Sequence, residues 1–154
     1  HRVLDATLTG AFYCCRAAAG IMERQESGAI VNISSINGQN PAALVAAYNV
    51  AKAGIISLTH TVAAELASYG VRCNAIAPFL IRTELVGAAL DSHPGMEEEA
   101  SAKAALGRTG RPDEIAAAAL FLVSDASLMV TGTNIAVDGG KSIGVPPSAS
   151  AAMA

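Results

Sequence analysis

Leu4, Leu8, Ala11, Cys15, Ala18 and Met22 recur at intervals of three and four, the spacing of one face of an α-helix. This predicts an amphipathic helix over residues 2–25, ended by the turn pair Ser27-Gly28. Residues 29–33 form a short apolar, β-branched run that reads as a buried strand, followed by the polar loop Asn37, Gly38, Gln39, Asn40 and Pro41. Leu44, Ala47, Ala51, Ile55, Leu58, Val62 and Leu66 then mark the stripe of a long helix over 43–68, with Gly70 where a C-terminal cap belongs. Residues 71–77 read as a second strand, broken by Pro78.

Residues 79–107 are less regular and predict two short helical stretches around Ser92-His93-Pro94-Gly95. Pro112 stands at a first helical position, with Asp113 and Glu114 on the positive end of the dipole of a helix running to about Ser124. Residues 133–137 form a third strand, turned by Asp138-Gly139-Gly140. The tail over 145–154, with Pro146-Pro147 and then Ser and Ala, is expected to be disordered. Apolar strands alternating with long helices predict an α/β class: a parallel sheet with right-handed crossovers, covered on both faces. No linker or repeat divides residues 1–144, so they read as part of one domain. Three strands make a small sheet, and none is charged enough to be a comfortable open edge. Further strands are expected before His1, where the chain opens inside a helical pattern.

Composition narrows the classes. Hydrophobic residues are 52% of the 154 and charged residues 15%, which excludes a disordered chain. The longest apolar run, Ile115 to Val123, is nine residues, against the ~20 that span a bilayer. The hydrophobicity comes instead from 33 alanines in a closely packed interior. Net charge is -3, without a basic patch, and Trp is absent, so neither a nucleic acid nor a membrane is expected as partner. Cys14, Cys15 and Cys73 are odd in number and form no CxxC, which points to a reduced, cytoplasmic protein.

Tyr48 and Lys52 are four residues apart on the long helix, about 40° apart around its axis and ~6 Å along it, and so share a face. A phenol is a poor base at neutral pH. An ammonium about 5 Å away, at an effective dielectric of about 20, favours the phenolate by about 3 kcal/mol. That moves Tyr48 towards general acid/base work. Ser35 lies at the carboxyl end of the first strand, where ligands bind in open α/β sheets. Its hydroxyl either donates to a substrate oxygen or satisfies backbone groups in a turn. No His, Cys, Asp or Glu set has metal-ligand spacing, so no metal is expected.

Asn32-Ile33-Ser34-Ser35, followed by Tyr48-Asn49-Val50-Ala51-Lys52-Ala53-Gly54, resembles the short-chain dehydrogenase/reductase family. The resemblance continues in order through Arg72-Cys73-Asn74-Ala75-Ile76-Ala77-Pro78, Ile81-Arg82-Thr83, the segment from Gly107 to Ala116, and Val137-Asp138-Gly139-Gly140. It implies the C-terminal portion of a Rossmann-like doubly wound parallel sheet. It also implies an NAD- or NADP-dependent oxidoreductase acting on a small-molecule carbonyl or secondary alcohol. By the same resemblance Ser35 orients the carbonyl, Tyr48 exchanges the proton, and Lys52 supports Tyr48 and holds the nicotinamide ribose. Pro78, Ile81 and Thr83 then line the nicotinamide end, and a homodimer or homotetramer is implied. Three departures stand out: the family's TGxxxGxG turn is not in these residues, Thr7 replaces an Asn, and Phe79 replaces a Gly. The rival reading is an inactive module that keeps the dimerisation helices.

Overall fold

The computed structural model describes residues 1–144; the predicted tail over 145–154 lies outside them. Three parallel strands, β1 (Gly28–Ile33), β2 (Val71–Pro78) and β3 (Asn134–Val137), form one sheet in the order β1-β2-β3. The register runs from Gly28 opposite Val71 to Ile33 opposite Ile76, and from Ala75 opposite Asn134 to Pro78 opposite Val137. All three expected strands are present. Pro78 is the last residue of β2 rather than the first beyond it, a strand-end position that a residue without an N–H tolerates.

The predicted helix over 2–25 is not uniform. It consists of α1 (Arg2–Leu4), a π-helical turn Asp5–Thr9, and α2 (Gly10–Gln25). The wider turn lies against the next long helix, α3 (Ala46–Leu66). There a Cβ on Gly54 would sit 2.7 Å from the Leu8 side chain. The start predicted for α3 is corrected by three residues. Leu44 takes a left-handed conformation at φ 70 and is fully exposed, and Ala47 is exposed as well. From Ala51 the stripe holds, with Ala51, Ile55, Val62 and Leu66 buried. The helix ends in a 3-10 turn, Ala67–Tyr69, and Gly70 at φ 68 supplies the expected cap.

Strand alternation sorts the packing into two layers. Val71 and Cys73 face α2 and α3, in a core with Cys15, Val62, Ala63 and Leu66. Arg72 and Asn74 face the opposite side, towards α6 (Pro112–Val123) and the segment after it. The Arg72 guanidinium donates to Leu122 O at 2.7 Å, Ser127 Oγ at 2.9 Å and Ser124 O at 3.2 Å. A cation thus satisfies the free carbonyls at the C-terminus of α6. Burial pushes the Cys73 thiol up to about 12. All three cysteines are free, with Cys14 exposed and Cys15 and Cys73 buried. Asn32 is engaged inside this layer: its side chain meets Cys15, Thr59 and Cys73.

The start of α6 is held by charge. Glu114 accepts from Arg111 N–H at 2.8 Å and from the Arg108 guanidinium at 2.6 and 2.9 Å. These donors, the Arg108 pair first, hold its carboxyl down to about 2 from 4.5. The folded state therefore binds fewer protons, and the stabilisation is complete above about pH 4.5. It is lost as pH falls towards 2. In acid unfolding followed by circular dichroism, Glu114→Gln is expected to flatten the fall in stability over that window; an unchanged slope would contradict the assignment.

Candidate active site

The site forms where β1 ends. Ser34 is buried, and both its groups fasten the strand end to β2: its N–H donates to Ile76 O at 2.8 Å and its hydroxyl to the same oxygen at 2.9 Å. Ser35, also buried, then opens the short 3-10 turn Ile36–Gly38. Its Oγ accepts from Asn37 N–H at 3.1 Å. The turn-satisfying role of Ser35 is therefore real. It uses a lone pair and leaves the hydroxyl hydrogen able to serve a second acceptor.

α3 lies across this strand end. Lys52 Nζ donates to Ile33 O at 2.8 Å, and the same nitrogen is 5.6 Å from the centroid of the Tyr48 ring. Tyr48 and Lys52 thus share a helix face, as their spacing predicts. Burial pushes the Lys52 ammonium down from its ordinary value. Gly38 brings the serine turn onto this helix: a Cβ there would lie 2.8 Å from the carbonyl carbon and oxygen of Lys52. Asn49, next to Tyr48, donates to Ala42 O at 2.7 Å and ties down the loop before the helix. A cavity of about 210 Å³ is lined by Ser35, Ile36, Asn37, Tyr48, Phe79 and Leu80. The structure therefore brings Ser35, Tyr48 and Lys52 together.

Pro78 ends β2, and Ile81 and Thr83 lie on the segment leaving it. Ile81 forms an isolated parallel bridge with Gly110, with Arg82 N–H to Gly110 O at 2.8 Å and Gly110 N–H to Leu80 O at 2.9 Å. Thr83 caps α4 (Glu84–Asp91), its Oγ1 accepting from Val86 N–H at 3.2 Å. Arg82 between them binds Asp91 at 2.6 Å and also Glu97, in the first turn of α5 (Met96–Ala102). Glu97 in turn accepts from Thr109 Oγ1 at 2.9 Å. One guanidinium thus joins the end of α4 to the start of α5. Phe79 and Leu80 also line a second cavity of about 440 Å³ that reaches the end of β3.

Asn37 and the Ile33 carbonyl belong to the site but escape the sequence reading. A backbone carbonyl leaves no mark in a sequence. Thr7 is half-buried within the π-helical turn, its carbonyl accepting from Gly10 N–H.

A parallel sheet flanked by helices that gathers a serine, a tyrosine and a lysine at its carboxyl edge, where such sheets hold ligands, is a Rossmann-like arrangement. The chain belongs to the short-chain dehydrogenase/reductase family: the family model described as enoyl-(acyl carrier protein) reductase matches residues 1–142. The chain is 42% identical over 139 residues to a 3-oxoacyl-[acyl-carrier-protein] reductase of Synechocystis sp., covering 90% of this chain and 54% of that protein. A short-chain type dehydrogenase/reductase from Mycobacterium ulcerans superposes with a TM-score of 0.88 at 38% identity, covering 99% of this chain and 55% of that one. ElxO with NADP bound superposes at 0.85 with 31% identity, covering 89% and 55%. The chain spans about half the length of the curated relatives it matches.

Two glycine substitutions test this packing. At Gly38 the obstacle to a Cβ is Lys52 backbone, so the turn must shift; at Gly54 it is the Leu8 side chain, which has other rotamers. Gly38→Ala is expected to lose about 1–3 kcal/mol in urea unfolding, and Gly54→Ala less. Equal losses would contradict the close approach.

Proposed function

We propose that the chain is the catalytic portion of an NAD(P)-dependent oxidoreductase that interconverts a carbonyl and a secondary alcohol. One observation carries this reading: Ser35 and Tyr48 line one cavity, with Lys52 a helical turn behind the phenol. In the reducing direction the Ser35 hydroxyl donates to the substrate oxygen and orients the carbonyl. Tyr48 Oη passes its proton to that oxygen, and takes it back in the oxidising direction. The Lys52 ammonium stabilises the negative charge left on Tyr48.

The residues present fit the nicotinamide end of NAD or NADP. Lys52 donates to Ile33 O, and an ammonium carries three hydrogens, so two remain for ribose hydroxyls. Thr83 accepts from Val86 N–H and keeps its hydrogen to donate. Pro78 and Ile81 flank in the chain Phe79 and Leu80, which line the cavity. The bound cofactor supplies or accepts the hydride; the chain supplies position and a proton path. The NADP carried by ElxO, and the reductase activity named for the Synechocystis relative, support this assignment.

A second reading concerns assembly. Phe12, Tyr13 and Ile21 on α2 and Val50 on α3 are each about half exposed, more apolar surface than two helices of a monomer need show. We infer that a second copy of the chain covers them, giving a homodimer or homotetramer. This association also suits the rival module, in which Tyr48 and Lys52 are idle. The three free thiols support a reducing, cytoplasmic setting. Among the described residues no helix is long and apolar enough to cross a membrane.

Tyr48→Phe is expected to lower kcat by about 10²–10⁴-fold while the thermal melt is retained; unchanged turnover would reject the acid/base role. Phe12→Lys combined with Val50→Lys is expected to lower the oligomeric state in sedimentation velocity. An unchanged sedimentation coefficient would reject the helix-mediated interface.

A further inference from the structure

The larger cavity, of about 440 Å³, is within the about 300–1,000 Å³ range of small-molecule sites. It meets the Ser35/Tyr48 cavity at Phe79 and Leu80, which line both. Its apolar wall includes Leu80, Ala105, Leu106 and Ile143.

The polar groups of that wall are already engaged with one another. The Arg108 guanidinium holds both oxygens of Glu114, at 2.6 and 2.9 Å, and donates again to Thr109 O at 3.1 Å. The Thr109 hydroxyl donates to Glu97. Asp138 accepts from Gly140 N–H at 2.9 Å and Ser142 N–H at 2.7 Å. The wall thus holds two carboxylates and one cation, and the cation is tied bidentately to one of the carboxylates. A ligand anion would meet a guanidinium already neutralised by Glu114, or lie beside Asp138, in a wall with more negative than positive charge, and this disfavours it. An uncharged hydrocarbon body has no such penalty and gains from burial.

We propose that this cavity is the subsite for the body of the substrate and selects an uncharged, apolar carbonyl or alcohol of alicyclic or branched aliphatic type over an anionic one. The proposal rests on the oxidoreductase reading for its reacting centre. The oxygen sits at Ser35 and Tyr48, and the body passes over Phe79 and Leu80 towards Leu106 and Ile143.

The test compares two ketones of similar size on the full protein, 4-methylcyclohexanone and 4-oxocyclohexanecarboxylate, with NADH and NADPH. The uncharged ketone is expected to have at least a tenfold higher kcat/KM. Leu106→Arg is expected to lower that ratio at least tenfold. Ile143→Arg, at a more exposed position, repeats the test should Leu106→Arg fail to fold. Binding is read independently by NMR, as shifts of the Leu80, Leu106 and Ile143 methyl signals with 4-methylcyclohexanone and not with the carboxylate. Turnover that favours the anion, a ratio unmoved by both arginine variants, or methyl signals that ignore the ketone would each overturn the proposal. The first two would leave the oxidoreductase standing. Methyl shifts with no turnover of either ketone would support the subsite and count against the oxidoreductase.

Discussion

The hydrogen bond from Lys52 Nζ to the Ile33 carbonyl, 2.8 Å long, sets the position of α3 along β1, and the candidate site follows from it. Ile33 is the last residue of β1, and its carbonyl finds its hydrogen-bond partner on α3. A lysine provides it and loses solvent in doing so, which is why its ammonium is pushed down. Two further ties fix the same register. Asn32 donates to Thr59 Oγ1 at 3.0 Å, seven residues beyond Lys52 and so two turns along the same face. Gly38 rests on the backbone of Lys52 itself. A slide of the helix by a turn would break all three ties and unpair Asn32 from the buried Thr59 hydroxyl, at a cost of about 1–3 kcal/mol for that pair.

Small side chains make this approach possible. Ala51, beside Lys52, is fully buried, and Gly54 admits Leu8 from the π-helical turn. The alanine content is thus more than a source of hydropathy. It lets helices sit close enough to the sheet for short polar groups at a strand end to meet a lysine on a helix.

The segment from Pro78 to Thr83 is fixed differently, by a backbone bridge to Gly110 and by Arg82 reaching two helices at once. Exposed ion pairs of this kind contribute about 0–1 kcal/mol each, so the network does little for global stability. Its effect is local: it ties α4 and α5 to the segments that carry Ile81 and Thr109, which line the larger cavity. A rigid edge formed by β1 and α3 therefore faces a wall assembled from weaker contacts.

The sequence alone determined the three strands, the alternation that makes them parallel, the Gly70 cap, and the shared face of Tyr48 and Lys52. Each of these follows from local periodicity or from a residue's own backbone preference. It did not determine the π-helical turn, the exposed left-handed Leu44, the Ile33 carbonyl as the lysine's partner, or the pairing of Arg108 with Glu114 in a cavity wall that also holds Asp138. Those depend on which distant segments meet and how closely. Side-chain periodicity records only which face is buried. Backbone acceptors and cavities exist only once the chain has closed on itself, so the tertiary structure decided them.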